Sequence, residues 1–346
     1  MAPVTLWMVR AGQHGEGEND ALNGHVVGIG WPELGDLTQV GSAANLHLRL
    51  EVAYPDAKPS ILASWGGQID AFRFQLQIGD LVALPLRSAP AVAFGRVTGD
   101  YRYAPDAGAT LRHQRPVEWI ADGISRDRID PDLLGLFGAT LTVGRISGIE
   151  AEPRIERLLA TPPAPEPGGA LPTPAVFDPA DTADAALDAG QIGRDQIRRR
   201  IAARFPGQEL TRLIGELLTA DGYTCSASAP GPDGGGDILA SPGRLGFDGV
   251  PLAVQVKSGS APVDIPALRQ LKDLMGNYGA QRGLLVSWGG FTKTTRQEAR
   301  RLFFEVRLWD SDAVIDKLQD VYDRLPASVR AELPLHRVWA PLPDDD

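Results

Sequence analysis

Two short stretches in the second half of the chain carry acidic, amide and basic side chains that together could catalyse a reaction. The first, residues 232–237, reads Pro-Asp-Gly-Gly-Gly-Asp and leads into the apolar run Ile-Leu-Ala. The second, residues 252–258, reads Leu-Ala-Val-Gln-Val-Lys-Ser and alternates apolar with polar side chains. Because side chains in a strand repeat every two residues, Gln255 and Lys257 are predicted to share one face of a strand.

Two neighbouring strands of this kind would bring together an acid, Asp237, an amide oxygen of Gln255 and the ammonium of Lys257. A carboxylate and an amide oxygen can hold Mg²⁺ through few protein ligands plus waters, as this ion prefers. A lysine beside them can steer or deprotonate an attacking water, or stabilise the charge that develops on phosphorus. The set predicts a metal-dependent phosphodiesterase with Mg²⁺, or Mn²⁺ in its place, held by Asp237 and Gln255.

The alternative for the glycine-rich stretch is an ordinary solvated turn, which is the favoured interpretation for Gly-Asp alone. The Gln-x-Lys pattern that begins 18 residues after Asp237 favours a functional role. Asp233 is interpreted as a turn-shaping or accessory residue rather than a ligand. Ser258 directly follows the lysine and is an accessory candidate for a phosphate contact, the alternative being a plain strand-end hydroxyl.

Length and composition indicate two domains in a globular protein. The chain has 346 residues, 43% of them hydrophobic and 23% charged, and a formal charge of -10. The acidic excess lies in residues 1–193, whereas residues 194–346 carry 20 basic and 20 acidic side chains, so a local basic face for nucleic acid remains possible there. A single cysteine, Cys225, and no apolar run near 18 residues predict a cytoplasmic protein without a membrane segment.

Three regions follow from the pattern along the chain. Residues 1–150 read as a strand-rich domain with short helices over 43–52 and 129–137. Residues 151–193 are predicted to be a Pro/Ala-rich linker, since seven prolines fall within residues 162–179. Residues 194–346 alternate helices and strands, beginning with leucines and isoleucines at helical spacing over 210–218, and predict an α/β sheet with helices on both faces.

The part of the chain that contains both stretches resembles a PD-(D/E)XK nuclease core, and more narrowly the Mrr-like restriction endonucleases. The resemblance covers about residues 208–325 and rests on Asp-x-Gly-x-Asp at 233–237, Val-Gln-Val-Lys at 254–257 and Gly-Leu-Leu-Val-Ser at 283–287. It implies that Asp237 binds metal, that Gln255 stands where many relatives have Glu, and that Lys257 is the catalytic base or charge stabiliser. Ser-Trp-Gly-Gly-Phe-Thr at 287–292 ends in a helix start that suits either a phosphate or an ordinary N-cap.

The resemblance fails at one position. Many relatives have a glutamate on the first helix, where this chain has Thr211. Glu209 and Glu216 are near on the same helix but do not fall on the matching face; Glu209 is kept as an accessory candidate, and Glu216 as a solvated residue. Gln270, on the next helix, is a further accessory candidate, with an exposed polar position as the alternative.

The N-terminal region resembles an EVE-type domain of the PUA-like superfamily, on motifs such as Val-Val-Gly-Ile-Gly-Trp at 26–31 and Gly-Arg-Val-Thr-Gly-Asp at 95–100. The resemblance implies a small β-barrel with an aromatic pocket for one flipped base of DNA. Trp31 and Trp65, each predicted in a glycine-flanked loop, are the candidate pocket walls, and Asp36 is the candidate acceptor for the base edge. Arg10, Arg112 and Arg115 are candidate phosphate contacts.

The combined prediction is a modification-dependent restriction endonuclease with two domains: an N-terminal PUA/EVE-like barrel and a C-terminal PD-(D/E)XK α/β core. Its partner would be double-stranded DNA with modified bases. Because one such site cuts one strand, a homodimer is expected. The alternatives are a reader of modified nucleic acid with a silent nuclease site, and a nuclease that acts on unmodified foreign DNA or on RNA.

Overall fold

The computed structural model describes residues 4–146, 150–160, 188–227 and 236–338. Among these, residues 4–146, 150–160 and 188–192 form one compact unit, and residues 193–227 and 236–338 form a second. Each unit has its own sheet and its own hydrophobic core. The predicted two-domain, mixed α/β architecture is therefore confirmed, while the boundaries at 150 and 193 stay predictions.

The first unit is built on one sheet with the strand order β2-β6-β4-β3-β1-β7, with β5 paired to β6. Over the described residues this path runs from β2 to β7 as a half-barrel, so the predicted barrel is confirmed only in this coarser form. The elements are β1 (Leu6–Val9), α1 (Glu18–Asn23), β2 (Val26–Ile29), α2 (Ala43–Ala53), α3 (Pro59–Asp70), β3 (Leu81–Pro85), β4 (Ala91–Val97), β5 (Arg102–Tyr103), β6 (His113–Ser125), α4 (Pro131–Leu136), β7 (Val143–Ile146) and α5 (Ala151–Ala160).

Both faces of this sheet are covered. In β1, Trp7 and Val9 pack into a core that includes residues of α2 and α3, whereas Leu6 and Met8 pack into a core that includes residues of α4 and α5. All four side chains are buried, because successive side chains of a strand point to opposite faces and both faces are lined by helices.

The prediction that Trp65 lies in a loop is wrong. Residues 59–70 form helix α3, which starts with Pro59 in its first turn and buries Leu62 and Ile69. Proline is favoured at a helix start, and burial of an apolar face outweighs the low helix propensity of Gly66 and Gly67 beside the tryptophan. The region is strand-rich as predicted, and the two short helices predicted over 43–52 and 129–137 are present as α2 and α4.

Helix α5 occupies the first ten residues of the predicted 151–193 linker, and its Ala151 and Ile155 are buried in the core of the first unit. Those residues are therefore not a spacer. Helix α6 begins at Ala189, near the other end of the predicted linker. Residues 161–187, which hold the proline run, lie outside the described residues.

The second unit has a five-stranded sheet with the order β12-β11-β10-β9-β8. Strands β8, β9 and β10 are antiparallel, and β10, β11 and β12 are parallel. The elements are α6 (Ala189–Arg204), α7 (Gln208–Ala220), β8 (Tyr223–Ala227), β9 (Gly236–Pro242), β10 (Leu252–Lys257), α8 (Ile265–Tyr278), β11 (Arg282–Ser287), α9 (Lys293–Arg301), β12 (Val306–Trp309), α10 (Ser311–Val321) and α11 (Ala327–Glu332).

Helices cover both faces of the second sheet, as predicted. One face, here called the α7 face, packs Ile238, Val254 and Val256 against α7 and α10. The opposite face, called the α8 face, packs Ala253 and Leu285 against α8. Helix α7 forms because its leucines and isoleucines recur at helical spacing, and all of those from 210 to 218 are buried.

No helix in the described parts of the chain is long and apolar enough to cross a membrane.

Candidate active site

The pairing of β9 with β10 brings the predicted catalytic residues together. Asp237 lies directly opposite Gln255 in the antiparallel register. Residues opposite each other in such a pair have Cβ atoms about 4.5–5.5 Å apart on one face of the sheet. Lys257 is two residues beyond Gln255 on β10 and therefore lies on the same face.

These three side chains lie on the α8 face. Leu239 follows Asp237 by two residues, Ala253 precedes Gln255 by two, and both belong to the core that packs against α8. Asp237, Gln255 and Lys257 are each partly exposed, at the end of the sheet where β9 begins and β10 ends. The arrangement gives an acid, an amide and an ammonium in a row at an accessible sheet end.

The amide of Gln255 fits a cation site. Its Oε1 is buried and accepts no hydrogen bond from any described residue, although buried carbonyl oxygens are normally paired. A buried acceptor beside a carboxylate suits a hard cation that takes oxygen ligands. No three His, Cys, Asp or Glu side chains converge on a metal site among the described residues, so the fit here rests on one carboxylate and one amide.

The loops that follow β10 and β11 are joined by backbone hydrogen bonds. The Trp288 N–H donates to the carbonyl of Lys257 at 2.9 Å, and the Gly289 N–H donates to the carbonyl of Gly259 at 3.0 Å. Only glycine fits at 289, because a Cβ there would lie 2.4 Å from the carbonyl carbon of Ser260. These bonds tie the loop that follows Lys257 to the loop that follows Ser287.

The helix start after β11 is an N-cap in the structure. The Thr292 side chain accepts a hydrogen bond from the Thr295 N–H, and the preceding Gly290 has φ +82°, a value that favours glycine. Ser258, the accessory candidate after β10, is partly buried. A phosphate contact at Thr292 or Ser258 stays a prediction.

Glu209, an accessory candidate on a helix, is not brought to this row, and an accessory role for Gln270 stays a prediction. Glu209 lies on α7, which packs on the opposite face, and its carboxylate accepts a hydrogen bond from the Nε of Arg212 at 2.6 Å. Gln270 lies on α8 but is exposed to solvent. Asp233 lies outside the described residues.

Thr211, which stands where many nuclease relatives have Glu, is also on the α7 side. It is fully buried, and its hydroxyl has no hydrogen-bond partner among the described residues. It lines a cleft of about 400 Å³ between α7, β8 and β9, together with Glu216 and Cys225. Burial raises the pKa of the Cys225 thiol.

The proposed base-pocket tryptophans of the first unit do meet. The rings of Trp31 and Trp65 pack edge to face with centroids 6.2 Å apart, and Tyr54 packs against Trp65 at 5.1 Å. Both tryptophans are partly exposed, and Trp31 has φ 54°, an uncommon left-handed conformation for a bulky side chain. Such strain is found at ligand sites more often than elsewhere.

Asp36, the candidate acceptor, is exposed, and its carboxylate accepts hydrogen bonds from the Thr38 N–H at 2.8 Å and the Thr38 hydroxyl at 2.6 Å. The hydrogen bond from the Thr38 hydroxyl holds the pKa of Asp36 below its usual value. A carboxylate has about four acceptor sites, so lone pairs remain for another donor.

Two side chains that the sequence did not single out support the loop that contains Trp31. The hydroxyl of Tyr101 lies 2.8 Å from Nδ1 of the fully buried His113, whose Nε2 lies 3.4 Å from the carbonyl of Trp31. Burial raises the pKa of Tyr101 to about 12 and lowers the pKa of His113. A histidine without metal-ligand spacing gives no sequence signal for such a supporting role.

Two of the predicted phosphate contacts are wrong. Arg10 is buried and donates to the carbonyls of Phe137 and Ala139, and Arg115 is buried and donates to the carbonyl of Phe72. Burial lowers the pKa of Arg10 to about 10. These guanidinium groups hold backbone carbonyls inside the first unit, whereas Arg112 remains partly exposed.

Comparisons with known proteins assign the two regions separately. Residues 202–318 match the restriction endonuclease family model Mrr_cat. Residues 7–133 match a domain of unknown function (DUF8426), so the EVE/PUA identity of the N-terminal region is not confirmed. No curated protein sequence matches the chain significantly.

Two solved structures of restriction endonucleases are similar to the chain at a low level. One is titled "DNA modification-dependent restriction endonuclease AspBHI", with 17% identity, a TM-score of 0.33, and coverage of 80% of this chain and 74% of that one. The other is titled "MspJI Restriction Endonuclease in Complex with 27-mer Oligonucleotide", with 14% identity, a TM-score of 0.28, and coverage of 81% and 70%. TM-scores this low do not establish a shared whole-chain fold.

The family match and the geometry agree on the same part of the chain. The matched range includes β9, β10 and β11, and with them the row formed by Asp237, Gln255 and Lys257. The C-terminal part of this chain, residues 202–318, is therefore a restriction endonuclease domain of the Mrr type.

Proposed function

We propose that the protein is a modification-dependent restriction endonuclease, in which the N-terminal unit recognises a modified, flipped base in double-stranded DNA and the C-terminal unit hydrolyses phosphodiester bonds. The observation that carries the proposal is the β9–β10 register. It sets Asp237 opposite Gln255 and leaves a buried, unpartnered amide oxygen beside a carboxylate, with Lys257 next along the strand.

Asp237 and Gln255 would hold Mg²⁺, or Mn²⁺ in its place. A bound divalent ion polarises a phosphoryl oxygen and lowers the pKa of a bound water. Lys257 is two residues from Gln255 on the same face, where its ammonium can orient the attacking water or stabilise charge on the phosphate. The backbone hydrogen bonds between the loops after β10 and β11 tie the backbone of Lys257 to β11, which would help to position the lysine at a bound phosphate.

The proposed metal ligands carry little negative charge. Gln255 supplies no negative charge, and the first-helix position holds Thr211 in place of an acid. Affinity for hard cations rises with the charge of the ligands, so weak metal binding and conditional cleavage are expected. The same observation favours the second candidate function, a reader of modified DNA whose nuclease site is silent.

The base-reading half of the proposal is supported by the aromatic cluster of the first unit. Trp31 and Trp65 are partly exposed and meet edge to face, and a planar base would stack on the exposed part of these rings. Asp36 is exposed and keeps acceptor capacity for the edge of a base. We further propose a homodimer on DNA, because each chain carries one candidate row and double-strand cleavage needs two, and a cytoplasmic location.

The test is cleavage and binding of matched DNA duplexes that are unmodified, methylated or hydroxymethylated, with Mg²⁺ or Mn²⁺. The proposal expects cutting of one modified duplex, no cutting by Lys257→Ala, and weakened binding of the same duplex by Trp31→Leu. A Trp7→Phe variant serves as the aromatic control, because Trp7 is buried and its Nε1 donates to Asp80 at 2.9 Å.

Other outcomes separate the alternatives. Selective binding without cutting in either metal would establish the silent reader. Equal cutting of modified and unmodified duplexes would contradict base recognition and favour a nuclease for unmodified foreign DNA or for RNA. Cutting by Lys257→Ala at the wild-type rate would contradict the catalytic site.

A further inference from the structure

Ser287, the last residue of β11, has a side chain that the proposed mechanism does not use. It is fully buried, and its hydroxyl has no hydrogen-bond partner among the described residues. A buried hydroxyl without a partner is destabilising, because it has lost its hydrogen bonds to water. Such a group in a native fold calls for a physical explanation, because buried polar groups are paired in the large majority of cases.

The strand register places this hydroxyl beside the proposed catalytic lysine. In the parallel pair of β10 and β11, Ser287 is the direct partner of Lys257, and Leu285 is the partner of Gln255. Leu285 packs on the α8 face, so Ser287, two residues on, lies on that face as well. Neighbouring strands lie about 4.8 Å apart, which puts the serine next to the base of the lysine side chain.

The two residues are fixed relative to each other. The bond from the Trp288 N–H to the carbonyl of Lys257 continues the ladder past the end of both strands. Beyond it, the Val263 N–H donates to the carbonyl of Gly290 at 2.9 Å and closes the two loops on each other. The backbone that carries the hydroxyl is therefore already ordered, so little backbone entropy is lost when the hydroxyl forms a hydrogen bond.

We propose that Ser287 is a positioning residue for Lys257: its Oγ accepts a hydrogen bond from the Lys257 Nζ when DNA is bound and directs the remaining N–H groups at the reacting phosphate or water. An ammonium has three donors and no acceptor, so it can donate to Ser287 and to the substrate at the same time. The inference deepens the proposed function and rests on the catalytic row described above.

The competing explanation is packing. A serine at this position would then serve only as a small side chain under α8, and its hydroxyl would be a cost without a role. The two explanations differ in what a shape-matched substitution does, because Thr and Val have nearly the same volume and only Thr keeps the hydroxyl.

The experiment compares Ser287→Thr, Ser287→Val and Ser287→Ala with the wild type and with Lys257→Ala. The substrate is the modified duplex that the wild-type protein cuts. Single-turnover rates at saturating DNA are measured separately from DNA affinity, since loss of a transition-state contact lowers the rate and not the affinity. Thermal unfolding of each variant reports its folding.

The expected result is a loss of about tenfold or more in the saturated rate for Val and Ala, with DNA affinity unchanged. The Thr variant should cut at least about five times faster than the Val variant, because the pair differs in the hydroxyl alone. The Ala variant should unfold at the wild-type temperature or above it, since it removes an unpaired buried group.

Equal rates for Thr and Val would overturn the inference, as would an Ala variant that cuts like the wild type. Both of these outcomes leave the proposed nuclease intact if Lys257→Ala is inactive. A Lys257→Ala variant that cuts normally, or a wild-type protein that cuts nothing, overturns the proposed catalytic site and the role of Ser287 with it.

Discussion

The two faces of the C-terminal sheet carry similar polar residues in different arrangements. On the α8 face, Asp237, Gln255 and Lys257 follow the strand alternation and collect at one end of the sheet. On the α7 face, the carboxylate of Glu209 is paired with Arg212, and Thr211 is buried beneath the helix. Both faces contain an unpartnered buried oxygen, so an unsatisfied group alone does not make a site.

A catalytic site needs complementary polar side chains that lie together and remain available for a ligand, and the two faces differ in this respect. On the α8 face, an acid, an amide oxygen and an ammonium lie together at one end of the sheet. Such a set can bind a cation and a phosphate together. The cleft on the α7 face is lined by an amide, two carboxylates and a guanidinium, but the guanidinium of Arg212 is already paired with Glu209. We therefore propose catalysis on the α8 face, and variants of residues on the two faces test this proposal.

The largest expected effect is the loss of cleavage in Lys257→Ala, by about 10²–10³-fold in the single-turnover rate. Glu209→Ala on the other face is the matched carboxylate control and should stay within about twofold of the wild type, because Arg212 keeps its second partner, Glu332, at 3.1 Å. Cleavage of the modified duplex measures both. A Glu209→Ala variant that is as inactive as Lys257→Ala would show that α7 contributes to the site after all.

The next effect is on stability and concerns Thr211. Restoring the acid of the nuclease relatives, as Thr211→Glu, puts a charge at a fully buried position and should destabilise the domain by about 2 kcal/mol or more without raising the cleavage rate. Thr211→Val keeps the shape and removes the unpaired hydroxyl, so it should be neutral or stabilising. Urea unfolding and cleavage assays check both variants.

A Thr211→Glu variant that cuts faster than the wild type would contradict the proposal that only the α8 face takes part in catalysis. It would mean that the first helix reaches the metal from the opposite side of the sheet, as the resemblance to PD-(D/E)XK enzymes suggests for an acid at that position. The Val variant separates a steric effect from an effect of charge.

A smaller and more specific effect is expected at Gln255. Gln255→Glu adds one negative charge beside Asp237 and should lower the concentration of Mg²⁺ or Mn²⁺ at half-maximal cleavage by on the order of tenfold, equivalent to about 1.4 kcal/mol. Gln255→Leu removes the amide oxygen and should raise that concentration. Metal titrations of cleavage, with DNA affinity measured in parallel, check the prediction. An unchanged metal dependence in both variants would mean that Gln255 is not a ligand.

Much of the C-terminal site could be predicted from the sequence because it depends on local alternation. The Gln-x-Lys spacing and the apolar neighbours of Asp237 fix which side chains share a face once the strands form. The face occupied by α7 could not be predicted, since it depends on the side from which a helix packs. The buried hydroxyl of Ser287 gave no sequence signal, because its significance comes from a register partner 30 residues away.

The N-terminal region was harder to predict from the sequence, because its features also depend on packing between distant parts of the chain. Trp65 stands between a serine and two glycines, which favour a loop locally, yet tertiary packing makes the segment a helix. Arg10 and Arg115 have the residue type of a phosphate contact, but the fold uses both to satisfy buried carbonyls. Local sequence reports the side-chain chemistry and not the partner that a distant strand or helix supplies.

The smallest expected effect concerns a buried group that belongs to the fold of the first unit. Burial lowers the pKa of His113 below its ordinary value of 6.5, so the folded state stays neutral at a pH where the unfolded chain takes up a proton. Stability rises with pH wherever the unfolded state binds more protons. The first unit should therefore lose stability as the pH falls below about 6.5, by at most about 1.4 kcal/mol per pH unit from this one group. His113→Leu should flatten this slope even if its stability at neutral pH is lower, because it removes the titrating ring. Urea unfolding between pH 5 and 8 measures the slope, and an identical slope in the variant would mean that other groups control the acid sensitivity.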